Sequence, residues 1–361
     1  MNTLKFSSHD RVLILAPHPD DESLAAGGLI QRATAAGART RVIFATDGDN
    51  NPWPQRFVER RLKIRHADRA RWGRRRRKEA IRALGCLGLE KNAARFLSIP
   101  DQGATGLLLR AEENTLFALW AELTEWHPTV LVLPSGADAH PDHSALFVLM
   151  QIALARAEIS LRQIRYLVHC PKHHGERGRV TVRLSAEEIA AKREAILCHE
   201  SQMALSQKRF VAYADEQEVF YAARSVTVRH PTISGGLEHG ALRLRLRLRG
   251  ARASFARRTL LLALESATEG SARWKLELPA TSRCVQLLDA KTEAPVRLAT
   301  VRINGRHAEV SIPVAPLQPL RQVFVKLQGR SFLYDQAGWH EVAVSAPREI
   351  TASQKIEAFA F

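Results

Sequence analysis

Apolar positions in the first half of the chain fall into short continuous runs separated by longer stretches with helical spacing. The runs Val12-Leu13-Ile14-Leu15, Thr40 to Thr46, Ala94 to Ile99 and Thr129 to Pro134 are too short for a membrane span. Each predicts a buried strand. Between them, Ser23 to Ala36 has the small and apolar spacing of a helix packed on a sheet, with Gly37 as its stop. The basic stretch continuing through Lys78 to Leu87 predicts a helix ending near Gly88, and a third helix is expected from about Ala111 to Trp126. Arg162 to Val168 predicts a further strand. Ser185 and Glu188 have the spacing of a capping box, opening a helix that runs to about Cys198-His199. Strand and helix alternate throughout, as in a doubly wound, mostly parallel sheet with right-handed crossovers.

Beyond about Thr227 the pattern changes. Leu242 to Arg249 alternates leucine with arginine, the period of a strand with one apolar and one basic face. The simplest reading is a half-buried strand whose arginines face water and discourage edge pairing. Further strands are expected at Thr259 to Leu264, Trp274 to Leu278, Val301 to Ile303 and Val323 to Leu327. Asn304-Gly305 marks a tight hairpin. The expected fold class is α/β, a Rossmann-like doubly wound sheet over residues 1–225, followed by a smaller all-β, sandwich-like domain over 226–361.

The length of 361 residues and the 45% hydrophobic content suit a globular protein with a sizeable core. The absence of a long apolar segment or an apolar leader core predicts a cytoplasmic protein, with peripheral contact at the inner membrane face left open by the charge. The four cysteines, Cys86, Cys170, Cys198 and Cys284, form no metal-knuckle or disulfide pattern and read as reduced packing residues. The net charge of +16, concentrated between Arg65 and Lys78, favours anionic partners: nucleic acid, anionic lipid or phosphorylated glycan. A solvated basic helix face would look the same. The arginine run lacks the aromatic interleaving of single-strand binders, which disfavours nucleic acid.

The candidate chemistry sits at strand ends. The turn Ala16-Pro17-His18-Pro19-Asp20-Asp21-Glu22 follows the first strand, and Ala139-His140-Pro141-Asp142-His143 follows the fourth. Ligands of open α/β sheets gather at such carboxyl ends. His18 and Asp21 can face one ion, and His143 would complete a two-histidine, one-carboxylate set that leaves positions for water and substrate. Asp20 would act as general base, His140 would stabilise developing negative charge, and Asp142 would hold a histidine tautomer. Taken singly, Asp20 or Asp21 could equally be a helix cap. Two such clusters on one sheet favour the metal.

These residues resemble the PIG-L-like, or LmbE-like, zinc N-deacetylases, whose signatures stand here as Pro17 to Glu22 and His140 to His143. Thr46-x-Gly48, Arg76-x-x-Glu79 with Leu87-Gly88, Pro100-Asp101, His199-x-x-Gln202 and Glu218-x-Phe220 extend the resemblance over about Arg11 to Ala222. It implies hydrolysis of the N-acetyl group of an N-acetylglucosamine-type sugar on a glycolipid or other glycoconjugate. One Zn2+, or another divalent ion, would be held by His18, Asp21 and His143. Asp20 would activate water and His140 would bind the oxyanion. Arg76, Asp101 and Asp49 would be substrate contacts. With the basic balance, an anionic substrate such as a lipopolysaccharide core or its precursor is expected. The chain departs from the family after Thr46-Asp47-Gly48, where Asp49-Asn50-Asn51-Pro52-Trp53 replaces glutamate and glycines, and at Asp138-Ala139, where some members carry an aromatic. The alternatives are an amidase of a small thiol or antibiotic conjugate and, from another class, a nucleic-acid-binding protein.

Overall fold

The computed structural model describes residues 4–169, 178–222, 232–247, 258–329 and 338–344. The amino-terminal part is a seven-stranded sheet. Its strands are β1 (Arg11–Ala16), β2 (Arg39–Thr46), β3 (Ala94–Ile99), β4 (Val130–Pro134), β5 (Arg162–Tyr166), β6 (Arg179–Arg183) and β7 (Gln217–Ala222), in the order β3-β2-β1-β4-β5-β7-β6. β3, β2, β1, β4 and β5 are parallel, and β7 runs antiparallel to β5 and β6.

The two-residue period of the strands sorts the core. Leu13, Leu15, Ile43, Ala45, Leu131 and Leu133 face one side, and Val12, Ile14, Ala16, Val42, Phe44, Val130 and Val132 the other. The first side packs under α4 (Ala104–Leu109), α5 (Glu113–Trp126) and α6 (Pro141–Arg156). The second packs under α1 (Asp21–Ala35), α3 (His66–Cys86) and α7 (Ala186–Leu197). Burial on both faces explains why these strands read as unbroken apolar runs. Ser185 caps α7 as its sequence predicts: its hydroxyl accepts from Glu188 N at 3.2 Å, and the Glu188 carboxylate accepts from Ser185 N at 2.7 Å.

Three expectations need correction. No helix was expected in the stretch after β2, yet Pro52 opens α2 (Pro52–Glu59), where its missing N–H costs nothing. The helix expected from Ala111 starts at Glu113, because Ala111 adopts φ 49° and breaks the chain between α4 and α5. A helix α8 (Glu200–Val211) follows α7 where the sequence reading had none.

The carboxyl-terminal part forms an antiparallel sheet of β8 (Ile233–Glu238), β9 (Ala241–Arg247), β10 (Thr259–Ser266), β11 (Ser271–Glu277), β12 (Arg283–Asp289), β13 (Pro295–Asn304), β14 (His307–Pro313), β15 (Leu320–Gln328) and β16 (His340–Glu341). The order is β16-β15-β10-β11-β12-β13-β14-β9-β8. The strands are hydrogen-bonded in one continuous nine-stranded order, and residues from strands far apart in that order share one core: Leu242, Leu244 and Leu246 with Leu260, Leu262 and Leu264. In β9 the leucines are buried and Arg243, Arg245 and Arg247 exposed, while Leu248 and Arg249 lie outside the described residues. So does the expected boundary at 225/226. The hairpin between β13 and β14 turns on Gly305 and Arg306, with Asn304 paired to His307.

The two sheets are joined by packing. Leu261, Ala263, Phe324 and Trp339 enter the core beneath α4 and α6, so β10 is buried on both faces. Trp339 N donates to Gly136 O at 2.7 Å, and the Arg273 guanidinium to Leu108 O at 3.0 Å. Among the described residues, no helix is long and apolar enough to cross a membrane.

Candidate metal centre

The order of the parallel strands reverses between β1 and β4, which are direct neighbours. The turns leaving their carboxyl ends therefore meet in the crevice of the sheet. There His18 Nδ1 and Asp21 Oδ2 lie 3.2 Å apart, His143 Nε2 and Asp21 Oδ2 3.2 Å, and His143 Nε2 and His18 Nδ1 3.3 Å. Donor atoms around a tetrahedral zinc at about 2.0–2.1 Å are separated by about 3.3–3.4 Å. The triangle has the size an ion requires. His140 and His169 border it, with ring centroids 4.9 and 5.1 Å from that of His143.

The outer nitrogens of both histidines face carboxylates. His18 Nε2 is 3.3 Å from both Asp101 Oδ1 and Asp142 Oδ2. His143 Nδ1 is 3.3 Å from Asp138 Oδ2, a close ion-pair contact that is not aligned as a hydrogen bond. These partners direct the lone pairs of His18 Nδ1 and His143 Nε2 inward with Asp21 Oδ2. Asp21, Asp101, Asp138 and Asp142 are all buried, so the site concentrates negative charge in a region of low polarity. Burial opposes charge on every group here, yet the mutual pairing prevails. His143 is raised to about 9 by Asp21 and Asp138, and His18 is raised by Asp101, Asp142 and Asp21. Asp101 and Asp138 are held down to about 2, chiefly by His18 and His143 respectively. The same carboxylates that stabilise positive charge on the two rings would favour a cation, which would take the place of the protons on the inward-facing nitrogens.

Asp20 has a different environment. It precedes α1 but makes no capping bond, and its backbone stands at φ 147°. Its carboxylate accepts from Arg76 Nη2 at 2.9 Å, and its N–H donates to Glu22 Oε2 at 3.0 Å. Arg76 also donates to Pro19 O at 2.6 Å and Gly48 O at 2.7 Å. A Cβ on Gly48, at φ 61°, would stand 1.9 Å from Arg76 Nη1, which explains why glycine occupies Thr46-x-Gly48. Burial, eased by Arg76, raises the Asp20 carboxyl to about 6.

His18, Asp20, Asp21, His140, Arg76 and Asp101 border a cleft of about 530 Å³. His140 Nδ1 accepts from Asp142 N at 3.2 Å, which assigns the ring proton to Nε2; burial first, then the charges of His18 and His143, lowers its pKa to about 2. Asp142 and Asp49 stand outside the cleft lining. Asp142 is fully buried outside the cleft lining and accepts from Gln102 N and Ala104 N at 2.7 and 3.1 Å, so it bears on His18 rather than on a ligand. Asp101 accepts from Asn50 N at 2.7 Å. Asp49 packs against α3 at Gly73, apart from the cleft lining. Arg76 spends its guanidinium on the turn. The basic run around it is largely paired within the chain: Arg71 with Glu59 and Asp68, Arg75 with Glu79, Arg77 with Asp47.

Several contributors were missed from sequence. Asp138 receives N–H groups from His140, Val168 and His169 besides facing His143; its signal was its place in the same histidine-rich turn. His169 follows β5 as the other site turns follow their strands. His199, which lay within a quoted motif but had no assigned role, pairs with Glu22 at 3.0 Å, and the two brace the Asp20 turn from behind. Trp53, Arg209 and Tyr213 form the cleft walls with Lys326 and Gln328 of β15.

Residues 13–154 match the family described as PIG-L, GlcNAc-PI de-N-acetylase. A 1D-myo-inositol 2-acetamido-2-deoxy-alpha-D-glucopyranoside deacetylase of Mycolicibacterium smegmatis is 33% identical over 168 residues, 42% of this chain and 56% of that protein. The enzyme of the same description from Mycobacterium leprae is 32% identical over 170 residues, 43% of this chain and 53% of its own length. The chain thus spans about half the length of the curated relatives it matches. The crystal structure of a conserved Thermus thermophilus protein superposes on 60% of this chain and 96% of its own, with 26% identity and a TM-score of 0.46. The similarity to the PIG-L family thus lies in the α/β part of this chain, within residues 13–154.

Proposed function

We propose that the chain is a zinc-dependent N-deacetylase that hydrolyses the acetamido group of an N-acetylglucosamine-type sugar, releasing acetate and the free amine. The observation that carries this reading is the triangle of His18 Nδ1, Asp21 Oδ2 and His143 Nε2, open to a cleft that also holds Asp20. An ion held by these three residues would supply Lewis acidity toward the amide carbonyl and water. Asp20, fixed by Arg76 and Glu22, takes the proton from the attacking water and returns it to the departing nitrogen as the C–N bond breaks. His140 offers its Nε2–H to the carbonyl oxygen as negative charge develops there. Asp142, Asp101 and Asp138 hold the two histidines in the ligating tautomers.

The curated relatives support an amino-sugar substrate. Arg209 and Lys326 in the cleft walls, with the net charge of +16, support a glycoconjugate bearing anionic groups, such as a phosphorylated lipopolysaccharide core or its precursor. On this reading residues 1–225 carry the reaction, and residues 226–361 are an accessory domain that supplies one cleft wall.

The test is metal analysis together with acetate release from N-acetylglucosaminyl-inositol, soluble N-acetylglucosamine conjugates and N-acetylglucosamine glycolipids. His143→Ala should lose both the ion and activity. Asp20→Ala should keep the ion and lose roughly 100- to 10,000-fold in rate. A wild-type protein that binds no divalent ion, with acetate release unchanged by either substitution, would overturn the reading.

A further inference from the structure

Cys86 and Cys198 are separated by 112 positions in the chain, yet their Sγ atoms lie 3.7 Å apart. Cys86 is the last residue of α3 and is exposed; Cys198 is the residue on which α7 ends and is partly buried. The junction is held in place by independent contacts. Arg82 Nη2 lies 3.3 Å from Cys198 O and pairs with Glu200 at 2.9 Å, and Ser201 N donates to Glu79 Oε1 at 3.0 Å. Neither thiol is required for those contacts.

We infer that Cys86 and Cys198 are a thiol–disulfide redox site whose oxidised form staples α3 to the end of α7. Closing the gap to a disulfide of about 2.05 Å asks for roughly 1.7 Å of sulfur movement, within reach of a side-chain rotation at exposed Cys86. The oxidant class is a small-molecule disulfide such as oxidised glutathione. The Cys86 thiolate attacks one of its sulfurs and releases one glutathione thiolate; the Cys198 thiolate then attacks Cys86 Sγ and releases the second. Two protein thiols lose two protons and two electrons, and one external disulfide becomes two thiols. Burial and the neighbouring Cys86 raise the Cys198 thiol to about 11, which is consistent with Cys86 reacting first.

The staple would join two elements that support the candidate base. α3 carries Arg76, the ion-pair partner of Asp20. His199, directly after Cys198, binds Glu22, which receives the Asp20 N–H. In a reducing compartment the pair stays open, and the bridge records oxidation.

The experiment uses the full chain with Cys170→Ser and Cys284→Ser, leaving only this pair. Oxidised glutathione should remove both titratable thiols, leave no bound glutathione mass, and give a cross-linked peptide containing Cys86 and Cys198. Because the closed loop is long, the thermal midpoint of the bridged form should rise by about 3–10 °C, an increment that reductant reverses and Cys86→Ser abolishes. Peptide mapping of the oxidised wild-type chain should find the same linkage, independent of the two background substitutions. Glutathione retained on Cys86 with Cys198 still free, a covalent dimer, or a bridged form that melts no higher would each overturn the inference. None of these readouts depends on deacetylation.

Discussion

Replacing Arg76 separates two roles that its sequence position leaves open, contact with substrate and support of the base. The guanidinium is buried and donates to three acceptors, Asp20 Oδ2, Pro19 O and Gly48 O. Arg76→Met leaves all three without that donor, at about 1–3 kcal/mol for each buried acceptor, so a stability loss of roughly 3–9 kcal/mol is expected. Arg76→Lys, able to reach one or two of the acceptors, should recover part of it. The kinetic consequence follows from Asp20, which stands at φ 147° and keeps that conformation through bonds to Arg76 and Glu22. Freed from Arg76, it no longer meets the water in a fixed geometry. On the proposed mechanism kcat should fall by about 100- to 1,000-fold, within the range assigned to general base catalysis, while KM changes by less than about threefold. The assay is acetate release from the best N-acetylglucosamine conjugate of the panel, with urea denaturation and metal content measured on the same preparations. A large rise in KM at unchanged kcat would refute the reasoning and return Arg76 to the substrate-binding role expected from sequence.

Asp138→Ala removes the carboxylate facing His143 and the acceptor of three backbone N–H groups; metal affinity should weaken about 10- to 100-fold by competition with a chelator, with the fold retained by circular dichroism. Lys192→Met strands the buried Glu218 carboxylate, which also caps Gly28 N and Leu29 N past the irregular Ala26 in α1, and should cost about 3–5 kcal/mol in urea unfolding; a loss below about 1 kcal/mol would show that the two backbone donors suffice. Burial lowers His340 from 6.5 to about 4, so the unfolded chain binds more protons between these values and the folded state loses stability as pH falls. This contribution is fully present above about pH 6.5 and lost as pH falls through about 4, roughly 3 kcal/mol in all. The unfolding free energy of His340→Gln should therefore decline less than wild type between pH 7.5 and 4.5, and equal slopes would exclude the effect.

The alternation of elements in the first half was legible because a strand covered on both faces needs an unbroken apolar run, as Val12 to Leu15 and Val130 to Leu133 have. The same rule applied to Leu260-Leu261-Leu262-Ala263-Leu264 would have revealed that β10 is covered on both faces, by its own domain and by the core under α6. Helix α8 escaped because the residues it buries, Ser201 and Gln202, are polar, and its backbone is not helical at Ser206. Asp138 and His169 escaped because a single carboxylate or histidine after a strand carries no distinctive local pattern.

The sequence by itself determined the residue types and local spacing of the site: His18, Asp20 and Asp21 in one turn, His140, Asp142 and His143 in another, each just past a buried strand. It did so because turn geometry and strand burial are local properties. Tertiary structure alone decided the division of labour. Which histidine nitrogen faces inward depends on carboxylates supplied by β3's loop and by the turn after β4. Asp20 is a braced carboxylate rather than a helix cap because Arg76, 56 positions away, is brought beneath it. The cysteine pair depends on α3 and α7 ending side by side. Such distinctions rest on distances between residues far apart in the chain, and only packing sets those distances.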